Sequence, residues 1–348
     1  MAYSSIAKPG DHFNTVLYTG NGTTDHAITG VGFQPDWTWL KKRNTTDDNI
    51  LQDVARTATK YVLSNSSAAE ATYAEGFKSF DSDGFTLGNA NNTNQNTHTF
   101  VAWNWKGGTT SGLSGGNITP SAYSYNATSG FGVYKYTGNG SADQTIPHGL
   151  GAIPQLIFYK RLDSSTNWVV QSNLLGNRDQ LVLNGTDAEN TDSRLSDSDN
   201  WTSTFFKVGT YGDMNNNGSN HVAYVFCNVK GYCKVGTYTG GSDPFVYLGF
   251  KPAWIMFKNT SSAENWRIVD NKRDDDNPVV QHLFANSNAA EASGTSYSDF
   301  IDFLSNGFKI RSGSGEVDGS GNTIIYMAIA ENPFVANDSG TAVPVVAR

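Results

Sequence analysis

Tyr18-Thr-Gly-Asn-Gly22 returns letter for letter as Tyr136-Thr-Gly-Asn-Gly140, and more loosely as Tyr238-Thr-Gly-Gly241. Each copy is followed by one frame, Gly-x-x-Pro-x-(large apolar)-x3-Lys. Its three instances are Gly32, Pro35, Trp37, Lys41; Gly151, Pro154, Leu156, Lys160; and Gly249, Pro252, Trp254, Lys258. The frame glycines lie 119 and 98 residues apart. That is too far for a solenoid repeat, which spans about 20–50 residues, and suits a domain of roughly 100 residues. A unit of that length buries roughly 60–70% of the surface its unfolded chain exposes, enough for a core of its own. The predicted units are 1–107, 117–230 and 231–334, with a tail at 335–348. Gly107–Gly116, rich in Gly, Ser and Thr, reads as a flexible linker between the first two. Hardly any linker separates the second from the third.

Within a unit the apolar period is two. Trp37, Trp39 and Lys41 alternate with their neighbours, as do Phe100, Ala102 and Asn104 with Val101, Trp103 and Trp105. This is strand patterning. Pro35, Pro154 and Pro252 stand where a proline opens a strand without costing a ladder bond. The closing runs, Thr99–Trp105, Val222–Asn228 and Ile324–Ala330, are the most apolar and should be the most central. Ser67-Ala-Ala-Glu70, Thr186-Asp-Ala-Glu189 and Asn288-Ala-Ala-Glu291 each place an N-cap residue three before a glutamate. That spacing predicts a single helical turn or a capped loop in each unit. The fold expected is all-β: three tandem β-sandwich domains of jelly-roll or lectin-like type, each with at most one short helix.

Composition excludes several functions. The net charge of −8, with no run of Lys and Arg, argues against nucleic acid as a partner. No stretch of about 18 apolar residues occurs, so no membrane insertion is expected. The start, Met1-Ala-Tyr-Ser-Ser5, lacks a basic segment followed by an apolar one, so no secretory signal is expected. Two cysteines, Cys227 and Cys233, make neither a disulfide framework nor a zinc site; buried free thiols are expected over a redox pair.

Candidate chemistry is thin. Glu70, Glu189 and Glu291 would need a second carboxylate about 5–10 Å away for glycoside hydrolysis, and no second acid keeps a shared offset from them. Asp81-x-Asp83-Gly84 resembles the opening of a calcium loop, but Phe85-Thr-Leu follows, so a turn is expected. Asp274-Asp-Asp276 reads as a solvated loop. His12, His26, His98, His148, His221 and His282 never fall at zinc-ligand spacing. Trp37, Trp39, Trp103, Trp105 and Trp254 could stack on sugars, yet lie on alternating strands where core packing is the usual fate. Trp168 and Trp266 recur at equivalent places after asparagines and read as structural. No catalytic, cofactor-binding or metal residue is assigned, no cofactor is implied, and the ligand-binding residues stay unassigned.

Phe13-Asn-Thr-Val-Leu-Tyr-Thr-Gly-Asn-Gly22, Gly30-Val-Gly-Phe-Gln-Pro-Asp-Trp37, Ser82-Asp-Gly-Phe85 and Val101-Ala-Trp-Asn-Trp105 together resemble an uncharacterised repeat family of tailed bacteriophages. The later units carry the likeness through Pro147-His-Gly-Leu150, Pro244-Phe-Val-Tyr247, Phe303-Leu-Ser-Asn-Gly-Phe308 and Ala330-Glu-Asn-Pro-Phe334. The resemblance implies a non-enzymatic virion structural protein, tail- or fibre-associated and exposed for host-surface contact. Its implied partners are other virion proteins and possible host-surface glycan, in a homo-oligomer. Leu156 departs from the tryptophan of the other two frames. Capsid decoration, a neck protein and a carbohydrate-binding module are the alternatives.

Overall fold

The structure, a computed structural model, describes residues 4–241, 243–292, 301–311, 315–338 and 341–344. The first repeat opens with β1 (Phe13–Thr19), β2 (His26–Thr29), β3 (Trp37–Lys42) and β4 (Asn49–Asp53). It continues through β5 (Lys60–Leu63), β6 (Ala71–Thr72), β7 (Phe77–Asp81) and β8 (Gly84–Leu87) to a one-turn helix α1 (Asn91–Asn94) and β9 (Thr99–Trp105). The second begins with an added strand, β10 (Ala122–Asn126), then β11 (Phe131–Thr137), β12 (Gln144–Pro147), β13 (Pro154–Arg161) and β14 (Val169–Ser172). β15 (Asp179–Val182), β16 (Asn190–Thr191), β17 (Phe205–Val208), α2 (Gly212–Asn215) and β18 (Asn220–Cys227) complete it. The third runs β19 (Cys233–Thr239), β20 (Phe245–Tyr247), β21 (Phe250–Asn259), β22 (Arg267–Asp270) and β23 (Leu283–Phe284). Then come β24 (Ile301–Leu304), β25 (Gly307–Ile310), α3 (Gly315–Asp318) and β26 (Thr323–Pro333). The protein is all-β.

Three large antiparallel sheets carry one order: β1-β9-β3-β4-β5-β6, β10-β11-β18-β13-β14-β15-β16 and β19-β26-β21-β22-β23. The closing strand of every repeat, β9, β18 or β26, therefore has a neighbour on both sides. Small sheets, β2-β8-β7, β12-β17 and β20-β25-β24, pack over one face of each large sheet. In the first repeat Ile28, Phe77, Phe85 and Leu87 of the small sheet cluster with Leu40, Phe100 and Ala102 of the large one.

The opposite faces of the large sheets meet one another. In register across the three sheets stand Phe13–Trp105–Trp37, Phe131–Phe226–Leu156 and Cys233–Ile329–Trp254. All nine residues belong to a single apolar cluster. Trp37 stacks 4.5 Å from Tyr224 and 5.7 Å from Phe131 of the second repeat. Trp254 of the third lies 5.6 Å from Trp105 and 6.2 Å from Phe13 of the first. The repeats thus share this cluster, while the first and second each also keep a separate one between large and small sheet. The large sheets are covered on both faces, which is why every residue of β3 is buried, Thr38 and Lys41 included. Thr38 is accommodated by donating to Asn104 Oδ1 at 2.9 Å.

Three expectations are sharpened. Ser67–Glu70, Thr186–Glu189 and Asn288–Glu291 take the loop alternative and not the helical turn; the one-turn helices stand at α1, α2 and α3. The backbone groups of those motifs are satisfied across the repeat junctions, so a helix has nothing to add there. The 107–116 linker is anchored at its start. Gly107 N–H donates to Asp36 Oδ2 at 2.8 Å, and Thr109 bridges Tyr125. The predicted tail starts with paired strands, β27 (Val335–Asp338) and β28 (Thr341–Pro344), while its residues 345–348 lie outside the described ones.

Candidate functional site at the repeat junctions

The frame lysines point the way to the chain's most elaborate polar construction. Lys41, Lys160 and Lys258 sit at equivalent places near the ends of β3, β13 and β21, and all are fully buried. A buried ammonium must find acceptors, and each finds one on another repeat. Lys160 Nζ donates to Ser67 O at 2.9 Å and to its own Thr166 O at 2.6 Å. Lys258 Nζ donates to Thr186 O at 2.8 Å and Glu264 O at 2.7 Å. Lys41 Nζ donates to Asn288 O at 3.3 Å and Lys42 O at 3.0 Å. Burial pushes the pKa of all three down to about 8.

The acceptors Ser67, Thr186 and Asn288 are the first residues of the three motifs that end in glutamate. The glutamates close the same seam through their backbone: Glu70 N–H to Leu162 O at 2.9 Å, Glu189 N–H to Thr260 O at 2.9 Å, Glu291 N–H to Arg43 O at 2.7 Å. One strand further in, Trp168 Nε1 donates to Leu63 O at 2.8 Å and Trp266 Nε1 to Val182 O at 2.9 Å. The first repeat has Asn49 at this position, and its Nδ2 donates to Phe284 O at 3.1 Å and Ser287 O at 2.9 Å. Three asparagines brace the element: Asn65, Asn184 and Asn286 each accept the backbone N–H of Asn49, Trp168 or Trp266 at 2.8 Å. Second clasps first, third clasps second, first clasps third. The three repeats form a closed ring with pseudo-threefold symmetry.

Ion pairs reinforce two of the three junctions. Arg56 Nε meets Asp53 Oδ2 at 2.6 Å, fully buried, and Tyr224 of the second repeat donates to the same oxygen at 2.7 Å. Arg273 Nε meets Asp270 Oδ2 at 2.6 Å, and Trp103 Nε1 of the first repeat donates there at 2.9 Å. The second repeat carries Ser172 and Leu175 in place of this pair, and the position corresponding to Tyr224 and Trp103 is Met327. Charge and polar partner are lost together, so no buried charge is left alone. Glu291 also bridges the closing junction, 2.7 Å from Arg43 of the first repeat and 2.9 Å from Arg273 of its own.

The remaining candidates have structural occupations. Glu70 pairs with Lys60 at 3.0 Å, and burial raises the Glu189 carboxyl, which accepts from Gly176 N–H at 2.9 Å. Asp83 accepts from Gly30 and Gly32 N–H at 3.1 and 2.6 Å, and Asp81 from Ser79 and Thr86, so this is a turn. Asp274 accepts from Val280 and Gln281 N–H at 2.6 and 2.5 Å. His148, His221 and His282 are buried against backbone carbonyls, their pKa values pushed down to about 4, 4 and 3 by burial. Cys227 and Cys233 are free and buried, and burial lifts the Cys233 thiol to about 12. All five tryptophans of the alternating strands are buried, as are Trp168 and Trp266. Among the described residues no group of three His, Cys, Asp or Glu side chains is placed to hold a metal ion. No helix among them is long and apolar enough to cross a membrane.

The Tyr-Thr-Gly-Asn-Gly turns are locked from within each repeat. Tyr18, Tyr136 and Tyr238 hydroxyls donate at 2.6 Å to the one-turn helices, at Thr93 O, Met214 O and Val317 O. Asn94, Asn215 and Asp318 of those helices accept a turn N–H at 2.9, 2.9 and 2.6 Å. The sequence hid these partners, although Asn94 and Asn215 close the equivalent one-turn helix in two repeats. Comparison with curated proteins returns no match. A family model does match, in one piece across all three repeats: the chain belongs to the family described as a domain of unknown function (DUF7483), over residues 8–333.

Proposed function

We propose that the chain is a non-enzymatic structural protein of a bacteriophage particle, carried on the tail or a fibre and exposed for contact with the host surface. In this reading its repeats are lectin-like jelly-roll sandwiches, its neighbours are other virion proteins, and it works as a homo-oligomer. The observation that carries the reading is the closed ring of clasps. The lysines, glutamates, tryptophans and buried acids that chemistry would draw on are committed to holding three copies of one module together. A rigid body with several outward faces suits attachment, because repeated weak contacts multiplied by oligomer symmetry raise avidity without a strong single site. The likeness of its recurrent strings to a tailed-phage repeat family points the same way.

The test is a mass-spectrometric inventory of purified particles, followed by electron microscopy with an antibody against the chain. Label at the tail or fibre is expected. Label on the capsid shell or neck moves the protein to a decoration role, and absence from the particle removes the reading.

A further inference from the structure

The interior of the ring repeats closely, so outward-facing residues that only one repeat carries, gathered at one place, mark a departure from scaffolding. Such a place exists on the third repeat. Among the described residues, Phe245 and Tyr247 on β20 are the most exposed large apolar side chains, at 49% and 50%. They share the outer face of the small sheet, since Val246 between them is buried against Phe308. Tyr247 faces Gly307 across the ladder, so no side chain covers its ring on that side, and Phe245 faces Lys309. The equivalent residues are Ala27 and Thr29 in the first repeat. In the second they are Thr145 and Pro147, where the 107–116 connection lies alongside and Asn117 N–H donates to Thr145 O at 2.9 Å.

Beside Tyr247 runs a groove of about 390 Å3 whose lining includes Asn228, Lys230, Cys233, Lys234 and Phe250. This lies within the range of small-ligand clefts, about 300–1,000 Å3. Lys234 Nζ donates to Tyr247 O at 2.7 Å, which fixes the ammonium at the groove wall. An ammonium has three N–H donors, so that bond leaves capacity for a ligand. Asn14 and Gly132 occupy the Lys234 position in the other repeats. Two groove lysines and Lys309 thus gather around two open aromatic faces on a chain whose net charge is −8.

We propose that this groove binds an acidic saccharide, a chain containing hexuronic acid units. The C–H face of a pyranose covers the Tyr247 ring and the Lys234 ammonium meets the carboxylate, while the Asn228 amide braces the groove wall through Val235 N–H and O at 2.6 and 3.3 Å. The groove is open along one side, which fits a ring entering from a longer chain rather than an enclosed lipid tail. The inference rests on the surface of the third repeat and stands apart from the particle reading. If the chain carries host contact, this groove names the ligand class.

The experiment is titration of the full chain with tetragalacturonate, read by calorimetry and by chemical-shift changes. The same tetramer with its carboxylates reduced to alcohols is the neutral control. Binding of the acidic form is expected, weakened by salt and by Lys234→Gln. Tyr247→Ala should lower the affinity about tenfold, the size of one aromatic contact, while Tyr247→Phe retains it. Tyr73→Ala, at an exposed ring of the first repeat, should change nothing. Both Tyr247 variants should unfold at the wild-type temperature, since the ring is half exposed; if one does not, Lys309→Gln carries the test, with weakened binding expected. Equal binding of the neutral tetramer, no binding of the acidic one, or full affinity in both Tyr247→Ala and Lys234→Gln overturns the proposal. Absence of the chain from particles would leave it standing.

Discussion

Replacing Lys160 by methionine separates the two sides of the clasp. The ammonium is fully buried and donates to Ser67 O and Thr166 O at 2.9 and 2.6 Å. Its removal takes a donor from two partly buried carbonyls; Ser67 O keeps Thr166 N–H at 2.9 Å, so the main loss is at Thr166 O, about 1–3 kcal/mol. Against this, the charged form is uncomfortable where it is: burial lowers its pKa from 10.5 to about 8. A shift of that size corresponds to about 3 kcal/mol of differential interaction between charged and neutral forms. The sign follows from linkage. With the folded pKa below the unfolded one, the unfolded chain holds more protons between pH 8 and 10.5, so this group's contribution to stability rises with pH across that window and is flat below it. Near pH 7 the methionine variant should be only slightly less stable than wild type, because the lost bonds and the relieved burial nearly cancel. By pH 10 it should be less stable by about 3 kcal/mol more. Urea unfolding of both proteins at four pH values between 7 and 10 measures the gap. Tyrosines and cysteines held neutral by burial in the fold ionise in this range once the chain unfolds, but identically in both chains, so they drop out of the difference. A gap that stays constant with pH would show that the folded lysine keeps an ordinary pKa, and the burial argument for all three clasps would fail with it.

Asp53→Ser alone leaves the buried Arg56 with only the longer contact to Glu70, at 3.5 Å, as a charge partner and should cost about 3 kcal/mol. The triple variant Asp53→Ser, Arg56→Leu, Tyr224→Met copies the charge-free junction and should regain most of that loss in the same unfolding assay. Trp37→Ala should cost roughly 3–5 kcal/mol and lower the melting temperature of the whole ring in one transition, because its neighbours belong to two repeats; a separate first-repeat transition would contradict the shared core. Gly20→Ala places a Cβ 2.2 Å from Gln95 O, whereas Gly10→Ala meets nothing within 4 Å. The first should fail to reach wild-type stability by several degrees and the second should be neutral.

The strand patterning and the threefold copying were legible because both are written in side chains. Alternation at Trp37, Trp39 and Phe100 located the strands, and the most apolar runs did become the strands with two neighbours. Ring closure was not legible, because half of it is backbone. Ser67 O, Thr186 O and Asn288 O carry no residue signature, so the motifs around them were read as helix caps, the commonest use of that spacing. The lysines were visible as part of the frame, but a lysine on an alternating strand reads as solvent-facing. Only the second buried face of the sheet, supplied by the other repeats, turns it inward. The exposed aromatics carry little sequence signal for the converse reason: Phe245 and Tyr247 sit in a short edge strand, while the more conspicuous tryptophans are interior.

The three junctions also differ in how much the covalent chain helps them, and the polar reinforcement follows that difference. Between second and third repeats the connection is a turn of a few residues around Lys230–Tyr232, with Tyr232 N–H bonded back to Val229 O at 2.9 Å. So short a tether holds the partners at high effective concentration, and this junction is the one without the buried Asp–Arg pair. Between third and first no short tether exists, and the seam must be closed by contacts alone. There Arg43 grips Glu291 through two nitrogens, Asn49 spans two carbonyls, Ser64 donates to Ala285 O at 2.6 Å and Trp103 reaches Asp270. Charge-assisted, geometrically demanding bonds are placed where misregistered closure is the main competitor, because a charge buried against the wrong partner costs far more than an apolar mismatch. The ring is therefore specified most strongly at the seam the chain cannot specify by itself, and the outer faces are left to diverge from repeat to repeat.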